Sequence, residues 1–418
     1  IKPENMKTSR SSIIIAGAIL PAILSFCTRG PVPGGDTPGT DGTVLPAENV
    51  RLDTTVLVTG VEFPEDYDWR RDTAYGTVDC KIVMFKNNER ILTVPAGESD
   101  PACADPDMHW IMDGSLFTEY SSPEETILTR DGKKLFSYPG RELVCGMVNG
   151  EDGLWILGQD RDGKGFTLRK DGKEVLRSES GIVTGRMDSP LLPTGALYRD
   201  GNRLCFAWKT VEIVGVAKKT DWHLYCDGVV TDFPYSQPAN EIFDLRMADG
   251  VLYKAEARRA SGRLSLIVGD TGYDLYDSAP FIPLGCRIIP LEGGIMVTAD
   301  LISEKGKKYS CLWDMQGLKT KVNGDSVVFS ISGEKIASVG CEEDGTVNMV
   351  NGLPGRLYPG KYTRFMSPFC LCTARGSVYL ALTSDRGKPF ILCEDGKKEV
   401  DINGYLTSVS VTIKESKF

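Results

Sequence analysis

Arg130–Gly140, with the sequence RDGKKLFSYPG, decides the fold because versions of it return along the chain. Each version places an Asp-Gly turn or a near relative beside short apolar strands, as in RKDGKEVL from Arg169 and CEDGKKEV from Cys393. Asp-Gly and Asn-Gly supply the positive backbone φ that tight hairpin turns require. The stretch is therefore interpreted as the second half of a β-hairpin, and its returns predict a repeated β unit.

Two series of such turns interleave from Val50 onward. The glycines of the first series recur every 39 to 49 residues, at Gly114, Gly153, Gly201, Gly250, Gly293, Gly333 and Gly376. A turn of the second series follows each of them after 18 to 27 residues, with its glycine at 132, 172, 228, 272, 317, 352 or 396. Two hairpins make four strands, and four strands every forty-odd residues is the period of a propeller blade.

These turns define seven units, and an earlier unit is visible as the segments Val56–Phe63, Lys81–Lys86 and Glu89–Val94. The earlier unit lacks a first strand, which the C-terminal segment Tyr405–Ile413 can supply. Closure of this kind removes the sheet edges that an open array would expose. We predict an all-β fold, a β-propeller of four-stranded blades closed by the C-terminal strand, over residues 50–418. The predicted number of blades is eight, with seven as the alternative if the first unit packs differently.

Composition excludes several classes of function. Asp and Glu number 57 against 48 Lys and Arg, so the net charge is −9, and such a surface repels nucleic-acid backbones. The 12 cysteines are scattered, without a C-x-x-C pair or a Cys–His spacing typical of zinc. Most of them lie in apolar strands, which favours small buried hydrophobic residues over a disulfide framework. We expect a monomer without a metal or a cofactor.

The N-terminus has the pattern of an exported protein. Met6 is interpreted as the true start, because it opens a short basic segment with Lys7 and Arg10. The apolar run Ile13–Phe26 follows, which is too short for a membrane span of about 20 residues but fits the core of a secretory signal. Residues 28–49 then form a segment rich in Pro, Gly and Thr, whose composition is typical of a flexible linker.

The residues before Cys27, Leu24-Ser25-Phe26, resemble the lipobox of bacterial lipoproteins, although Phe26 stands where a small residue is usual. Together with the linker and the β domain, they resemble secreted lipoproteins of the Bacteroidota. The resemblance implies that residues 1–27 are upstream residues plus a lipoprotein-type signal peptide, that Cys27 carries a lipid, and that the protein lies at the outer membrane, facing the periplasm or the cell surface. The alternative is a simple secretory signal.

Two short stretches also resemble known propellers. Trp313-Asp314 resembles the end of a WD40 strand, and SGEKIASVG from Ser332 resembles the blades of TolB-like propellers. Each occurs once. These resemblances imply the architecture and no particular function.

The candidate binding site lies in the connections that do not repeat. In a propeller, the second-to-third strand connections and the connections between blades lie on one face, opposite the tight turns. The longest with unusual chemistry is Glu62–Thr77, which combines aromatic rings that stack on sugars or proteins with Arg side chains that bind carboxylates. Its predicted binding residues are Tyr67, Trp69, Arg70, Arg71 and Tyr75. The alternative is that Trp69 and a tyrosine fold back to cap the blade.

Catalytic motifs are sparse in this sequence. It contains two histidines, of which His109 begins an innermost strand and is the weak candidate for acid–base chemistry. We therefore predict a membrane-tethered binding or scaffolding propeller that engages a glycan or a partner protein. The alternative is a carbohydrate-active hydrolase or lyase that uses carboxylates facing the channel.

Overall fold

The computed structural model describes residues 50–417 except 72–77, 97–108, 123, 186, 188–190, 215–216, 234–240, 259–260, 278–280, 292–293, 334, 343–346, 352–367 and 385. The described part is built from 32 β-strands in eight sheets and one 3-10 helix, Pro368–Cys370. No helix within these ranges is long and apolar enough to cross a membrane.

The sheets follow one another along the chain, except that the first is completed by the last strand. Sheet 1 contains β1 (Val50–Glu62), β2 (Lys81–Lys86), β3 (Glu89–Pro95) and β32 (Gly404–Lys417). Sheets 2 and 3 contain β4 (His109–Met112), β5 (Ser115–Ser121), β6 (Glu125–Arg130) and β7 (Lys133–Pro139), then β8 (Glu142–Gly150), β9 (Gly153–Asp160), β10 (Phe166–Lys170) and β11 (Lys173–Ser178). Sheet 4 contains β12 (Ile182–Val183), β13 (Tyr198–Asp200), β14 (Arg203–Val214), β15 (Ala217–Cys226) and β16 (Val229–Phe233).

The second half of the ring has the same plan. Sheet 5 contains β17 (Glu241–Ala248), β18 (Val251–Arg258), β19 (Arg263–Val268) and β20 (Thr271–Asp277). Sheet 6 contains β21 (Phe281–Leu291), β22 (Gly294–Ser303), β23 (Lys308–Asp314) and β24 (Gly317–Asn323). Sheet 7 contains β25 (Ser326–Ser332), β26 (Lys335–Cys341) and β27 (Val347–Asn351), and sheet 8 contains β28 (Leu371–Ala374), β29 (Ser377–Leu382), β30 (Phe390–Cys393) and β31 (Gly396–Glu399).

The all-β propeller and its closure by the C-terminal strand are confirmed. β32 pairs antiparallel with β1 from Val50↔Lys417 to Glu62↔Gly404, so the last strand completes the first sheet. Seven sheets have the four strands of a full blade, one of them with a fifth, and sheet 7 has three described strands. The predicted count of eight full blades is not confirmed, because a fourth strand of sheet 7 would fall outside the described residues.

The repeated Asp-Gly turns do more than reverse the chain. Asp131 and Gly132 both have positive φ, 51° and 75°, as a tight hairpin turn needs. The Asp131 carboxylate also accepts a 2.9 Å hydrogen bond from the Leu116 N–H, while its own N–H donates to the Leu116 carbonyl. Asp171 makes the same pair of bonds with Leu154 in sheet 3. The turn of the second hairpin therefore holds the first hairpin in place.

Apolar contacts between neighbouring sheets form the core. Each of the eight junctions has its own cluster of buried side chains, for example Trp110, Phe117 and Met147 between sheets 2 and 3. Burial of these faces on both sides of each sheet provides most of the driving force for closure of the ring.

Hydrogen bonds to side-chain oxygens also link neighbouring sheets at six of the eight junctions. Across six junctions a side-chain oxygen of one sheet accepts a backbone N–H of the next, at 2.7 to 3.0 Å. The donor and acceptor pairs are Val144 to Glu119, Val183 to Gln159, Met247 to Tyr198, Ile288 to Asp244, Thr373 to Ser330 and Leu406 to Thr383. These bonds satisfy backbone groups that the blade's own ladder leaves free.

An insertion in sheet 4 reaches across the central channel. β12 and β13 both pair with β14, and the described residues of the connection between them are 184–185, 187 and 191–197. Met187 packs against the cluster between sheets 2 and 3, while Leu191 packs against Leu312, Val322 and Phe329 at the junction of sheets 6 and 7. The described residues of this insertion therefore contact opposite sides of the ring, and they occupy the channel.

The described cysteines are mostly buried thiols, as predicted. Cys205 and Cys226 are cross-strand neighbours in β14 and β15 and form a disulfide. Seven of the other described cysteines are buried. Burial raises the pKa of Cys311 to about 11 and that of Cys341 to about 12. These two thiols therefore stay protonated and pack as small hydrophobic residues.

Candidate functional site

A polar cleft of about 1170 Å³ opens between sheets 1 and 8. Its walls come from the β1–β2, β29–β30 and β31–β32 connections and from β2 and β3. By the antiparallel order of the strands, the three connections lie on the face opposite the tight turns. The lining residues are Glu62, Phe63, Pro64, Glu65, Arg70, Lys81, Arg90, Arg386, Gly387, Lys388, Asp401, Ile402 and Asn403.

Asn403 fixes the β1–β2 connection beside the last sheet. Its backbone carbonyl accepts a 2.8 Å hydrogen bond from the Phe63 N–H, and its side-chain amide donates to the carbonyls of Pro64 and Tyr67. The connection also turns back on itself through a 3.1 Å bond from the Tyr67 N–H to the Pro64 carbonyl. This wall of the cleft is thus held by hydrogen bonds as well as by packing.

Trp69 is the buried anchor of the same connection. Its indole is 1% exposed and packs on the rings of Phe63 and Tyr405, with centroid distances of 6.3 Å and 5.8 Å. Cys80 and Met84 belong to the same cluster. The Trp69 indole therefore caps the core of sheet 1, which is the alternative to ligand binding given in the sequence analysis.

Arg70 is the best-positioned cation of the cleft. Its guanidinium lies 4.2 Å from the centre of the Trp69 ring, and its Nη2 donates a 2.6 Å hydrogen bond to the Gly387 carbonyl. A stacking contact and a hydrogen bond together fix the plane of the group. Within the described ranges, its Nε is buried and has no hydrogen-bond partner. The donors that Arg70 presents to the cleft are therefore the N–H groups of Nη1 and the second N–H of Nη2.

The other charges of the cleft divide into paired and unpaired groups. Arg90 makes two hydrogen bonds to the Glu62 carboxylate, one of them at 2.8 Å, and Lys388 lies 2.8 Å from Asp401. The hydrogen bond and charge of Lys388 lower the pKa of Asp401. By contrast, Lys81 and Arg386 form no ion pair with any residue that the structure describes. The cleft therefore has a surplus of cations in a chain of net charge −9.

The remaining predicted site residues lie in different environments. Tyr67 is half-buried against Phe63, whereas Arg71 is 89% exposed and pairs with Asp68 at 3.2 Å. Tyr75 and the predicted lipidation residue Cys27 lie outside the described residues. Of the four predicted binding residues that the structure describes, only Arg70 lines the cleft.

The His109 side chain is buried between sheets 1 and 2 and is not exposed to the central channel. It is 4% exposed, and its Nε2 lies 2.6 Å from the Thr407 hydroxyl of β32. Thr407 in turn shares a 2.9 Å hydrogen bond with Thr59 in β1. This chain of polar groups links sheet 2 to sheet 1, so the imidazole holds the point where the ring closes.

The buried carboxylates of the described part all have structural partners. Glu119 accepts the Val144 N–H, and Asp244 accepts the N–H groups of Leu245 and Ile288. Glu142 makes two bonds to Arg169, and Asp200 pairs with Arg203. Burial raises the pKa of Asp244, partly offset by Arg246 and by the N–H donors.

Asp160 is the carboxylate with the most unusual environment near the loop face. It ends β9, and partial burial followed by the nearby Glu142 carboxylate raises its pKa. In the turn that follows, the Gly163 N–H donates to the Asp160 carbonyl at 2.8 Å. Across the described ranges, no group of three or more His, Cys, Asp or Glu side chains is placed to hold a metal.

Comparisons with known proteins give distant structural similarity. No protein-family model and no curated protein matches the sequence. A structure from a study of two prolyl endopeptidases is 11% identical, with a TM-score of 0.38, and the match covers 74% of this chain and 49% of that one. This chain thus spans about half of the length of that protein.

Two further structures have lower TM-scores. The SapL1 lectin in complex with alpha methyl fucoside is 10% identical with a TM-score of 0.31, over 62% of this chain and 96% of the lectin. BBS1N in complex with ARL6DN is 8% identical with a TM-score of 0.34, over 64% of this chain and 87% of that one.

Proposed function

We propose that this chain is a non-catalytic binding propeller that engages a glycan or a partner protein through the cleft between sheets 1 and 8. The observation that carries the proposal is the position of Arg70, Lys81 and Arg386, which have no carboxylate partner among the described residues. Recognition residues commonly lie on connections that a rigid scaffold holds in place, as these do.

The placement of the acids favours binding over hydrolysis. A hydrolase of the predicted kind needs two carboxylates that reach the substrate, one of them able to give up a proton. Glu119, Glu142, Asp200 and Asp244 instead hold strands and arginines together. The insertion 184–197 also occupies the channel where a substrate would have to enter.

The enzyme alternative retains Asp160, because its raised pKa suits a general acid. Product formation from an oligosaccharide by the purified protein, abolished in Asp160→Asn, would establish that alternative. The same assay with His109→Asn tests the histidine that the sequence analysis named as a candidate for acid–base chemistry.

Binding at the cleft should fail when its unpaired cations are removed. We expect Lys81→Ala/Arg386→Ala to weaken the binding of any ligand found in a glycan and protein panel by roughly 100-fold or more, because hydrogen bonds to charged groups contribute about 1.5–3 kcal/mol each. Both side chains are exposed, so the fold should not change. Titration calorimetry on the two proteins measures the difference.

The matched control is Lys164→Ala. Lys164 lies on the same face in the β9–β10 connection and is 80% exposed. Among the described residues it forms an ion pair with Asp162 alone, at 3.9 Å. Its removal changes the net charge without changing the cleft. Equal losses in the control and in the cleft variant would show a non-specific charge effect and would contradict the proposed site.

We also propose that the propeller is exported and held at the outer membrane through Cys27. The support comes from the sequence, in the apolar run Ile13–Phe26, the lipobox-like residues and the linker of residues 28–49. Several acyl chains on one cysteine would anchor firmly, whereas a single chain is marginal.

Cys27→Ala should move the protein from the membrane fraction to the soluble fraction, since the acceptor for the lipid is lost. Fractionation of cells that express each form, followed by immunoblotting, measures the distribution. Cys80→Ala is the control, because Cys80 is buried in the propeller. An unchanged membrane fraction for Cys27→Ala would rule out the anchor.

A further inference from the structure

The cleft between sheets 1 and 8 has a charge pattern that selects among ligands. Five cationic and three acidic side chains line it, so its formal charge is positive although the chain as a whole is acidic. Two of the acids are paired with two of the cations. The charged lining residues that remain are three cations and one acid, namely Arg70, Lys81, Arg386 and Glu65. An anionic group is therefore attracted locally, and the screening by salt that weakens exposed charges acts least at the half-buried Arg70.

The Arg70 guanidinium sets the geometry of the anion. Because Trp69 holds its plane and Gly387 uses one Nη2 hydrogen, the remaining donors form a fork of fixed direction. Planar forks of this kind bind carboxylates with two parallel hydrogen bonds. Arg386 is adjacent to Gly387, so a second cation lies near the same point.

The carboxylates of the cleft select against ligands that are only anionic. Glu65 and Asp401 repel phosphate-rich polymers but accept hydrogen bonds from hydroxyl groups. A ligand that carries both carboxylates and hydroxyls satisfies both kinds of side chain. The volume of about 1170 Å³ exceeds that of most single small-molecule sites, roughly 300–1,000 Å³, and so accommodates an oligomer.

The cleft is a poor match for an apolar peptide side chain. Strand addition needs a free edge, and β1 and β2 offer none because each is paired on both sides; of the described strands, the outer strand β3 pairs only with β2. The apolar lining residues Phe63 and Ile402 are 3% and 8% exposed, so they offer no pocket for an apolar side chain.

From these observations we propose that the cleft binds an acidic oligosaccharide built of uronic acids, with Arg70 and Arg386 on a carboxylate and the acidic residues on neighbouring hydroxyls. This inference rests on the proposed binding function and names its ligand class.

The test compares three probes on the purified protein by titration calorimetry. The first is a set of uronic-acid oligosaccharides (galacturonate, glucuronate and mannuronate), the second is the same set with the carboxyls reduced to alcohols, and the third is an acidic Glu/Gly peptide. We expect at least one uronic-acid oligosaccharide to bind, its reduced form to bind at least 10-fold more weakly, and the peptide to bind more weakly than either.

One variant of Arg70 and one of Arg386 test the geometry. Arg70→Lys keeps the charge but loses the fork, so we expect a loss of roughly 10-fold, and Arg386→Ala should lose a similar factor while leaving Trp69 covered. Lys164→Ala should bind as the parent protein does. Circular dichroism and the thermal midpoint establish that each variant is folded.

The outcomes separate the ligand class from the proposed function. Equal affinity for the acidic and reduced oligosaccharides, lost in Arg386→Ala, would overturn the carboxylate inference and leave a binding cleft. Tighter binding of the peptide, lost in the same variant, would overturn the glycan class. Absence of binding by every probe, or binding that Arg70→Lys and Arg386→Ala leave unchanged, would overturn the carboxylate site itself. Only binding to other ligands in the wider panel would then support the proposed function.

Discussion

A chain that ends at Asn403 is expected to lose its cooperative unfolding transition, because β32 completes the ring. This strand of 14 residues pairs with the whole of β1, and its Tyr405, Leu406 and Val409 are each at most 5% exposed. Burial of a large apolar side chain contributes about 1.5–3 kcal/mol, so three of them approach the ~5–15 kcal/mol by which a whole domain is stable. The truncation also exposes an edge of β1.

The control for this truncation is a chain that ends at Lys414, which removes only the residues paired with β1 at Val50, Arg51 and Leu52. It should melt close to the parent chain. If the truncation at Asn403 is insoluble, Leu406→Ala gives a soluble test, with an expected loss of about 2–5 kcal/mol in the free energy of unfolding. An unshifted thermal midpoint in the Asn403 truncation would contradict closure.

Local turn chemistry explains why the propeller could be predicted. Asp131-Gly132 and Asp171-Gly172 have positive φ at both residues, as the type of turn requires. The spacing of the turns predicted the strands, and the incomplete first unit predicted the partner of β32. The hydrogen bond that the Asp131 carboxylate accepts from the Leu116 N–H is a second reason for Asp at this position.

The cleft was harder to predict because it joins distant parts of the chain. Arg70 and Gly387 are 317 positions apart and meet only because the ring closes. Closure by β32 was predicted, so the β29–β30 connection could have been placed beside Glu62–Thr77. Arg386 and Lys388 nevertheless have no local pattern that distinguishes them from other exposed charges.

Trp69 was predicted to bind a ligand because of its large apolar ring, and the same property favours its burial in the core. Trp69 has a large apolar face, and the core of sheet 1 covers that face more completely than a ligand could. The next residue, Arg70, lines the cleft instead. The insertion 184–197 had no repeat to mark it, and its contacts across the channel depend on residues of sheets 6 and 7.

Glu142→Gln is expected to destabilise the propeller by about 3–5 kcal/mol, because it leaves a buried guanidinium without its counter-charge. Glu142 and Arg169 are each 4% exposed, and Glu142 Oε1 lies 2.7 Å from Arg169 Nη2. The pair spans β8 and β10 across Gly158 of β9, where a Cβ atom would collide with the Glu142 carboxylate. The Arg169 guanidinium also stacks 4.1 Å from the centre of the Tyr138 ring.

Urea denaturation of this variant measures the effect as a shift in midpoint at constant slope. The matched control is Glu179→Gln, because Glu179 pairs with Arg177 at 3.0 Å with side chains that are 83% and 45% exposed. An exposed pair of this kind contributes about 0–1 kcal/mol. Glu142→Gln/Arg169→Met should recover part of the lost stability, because it removes the unpaired charge as well as its partner. Equal midpoints for Glu142→Gln and Glu179→Gln would show that the buried pair contributes no more to stability than a surface pair does.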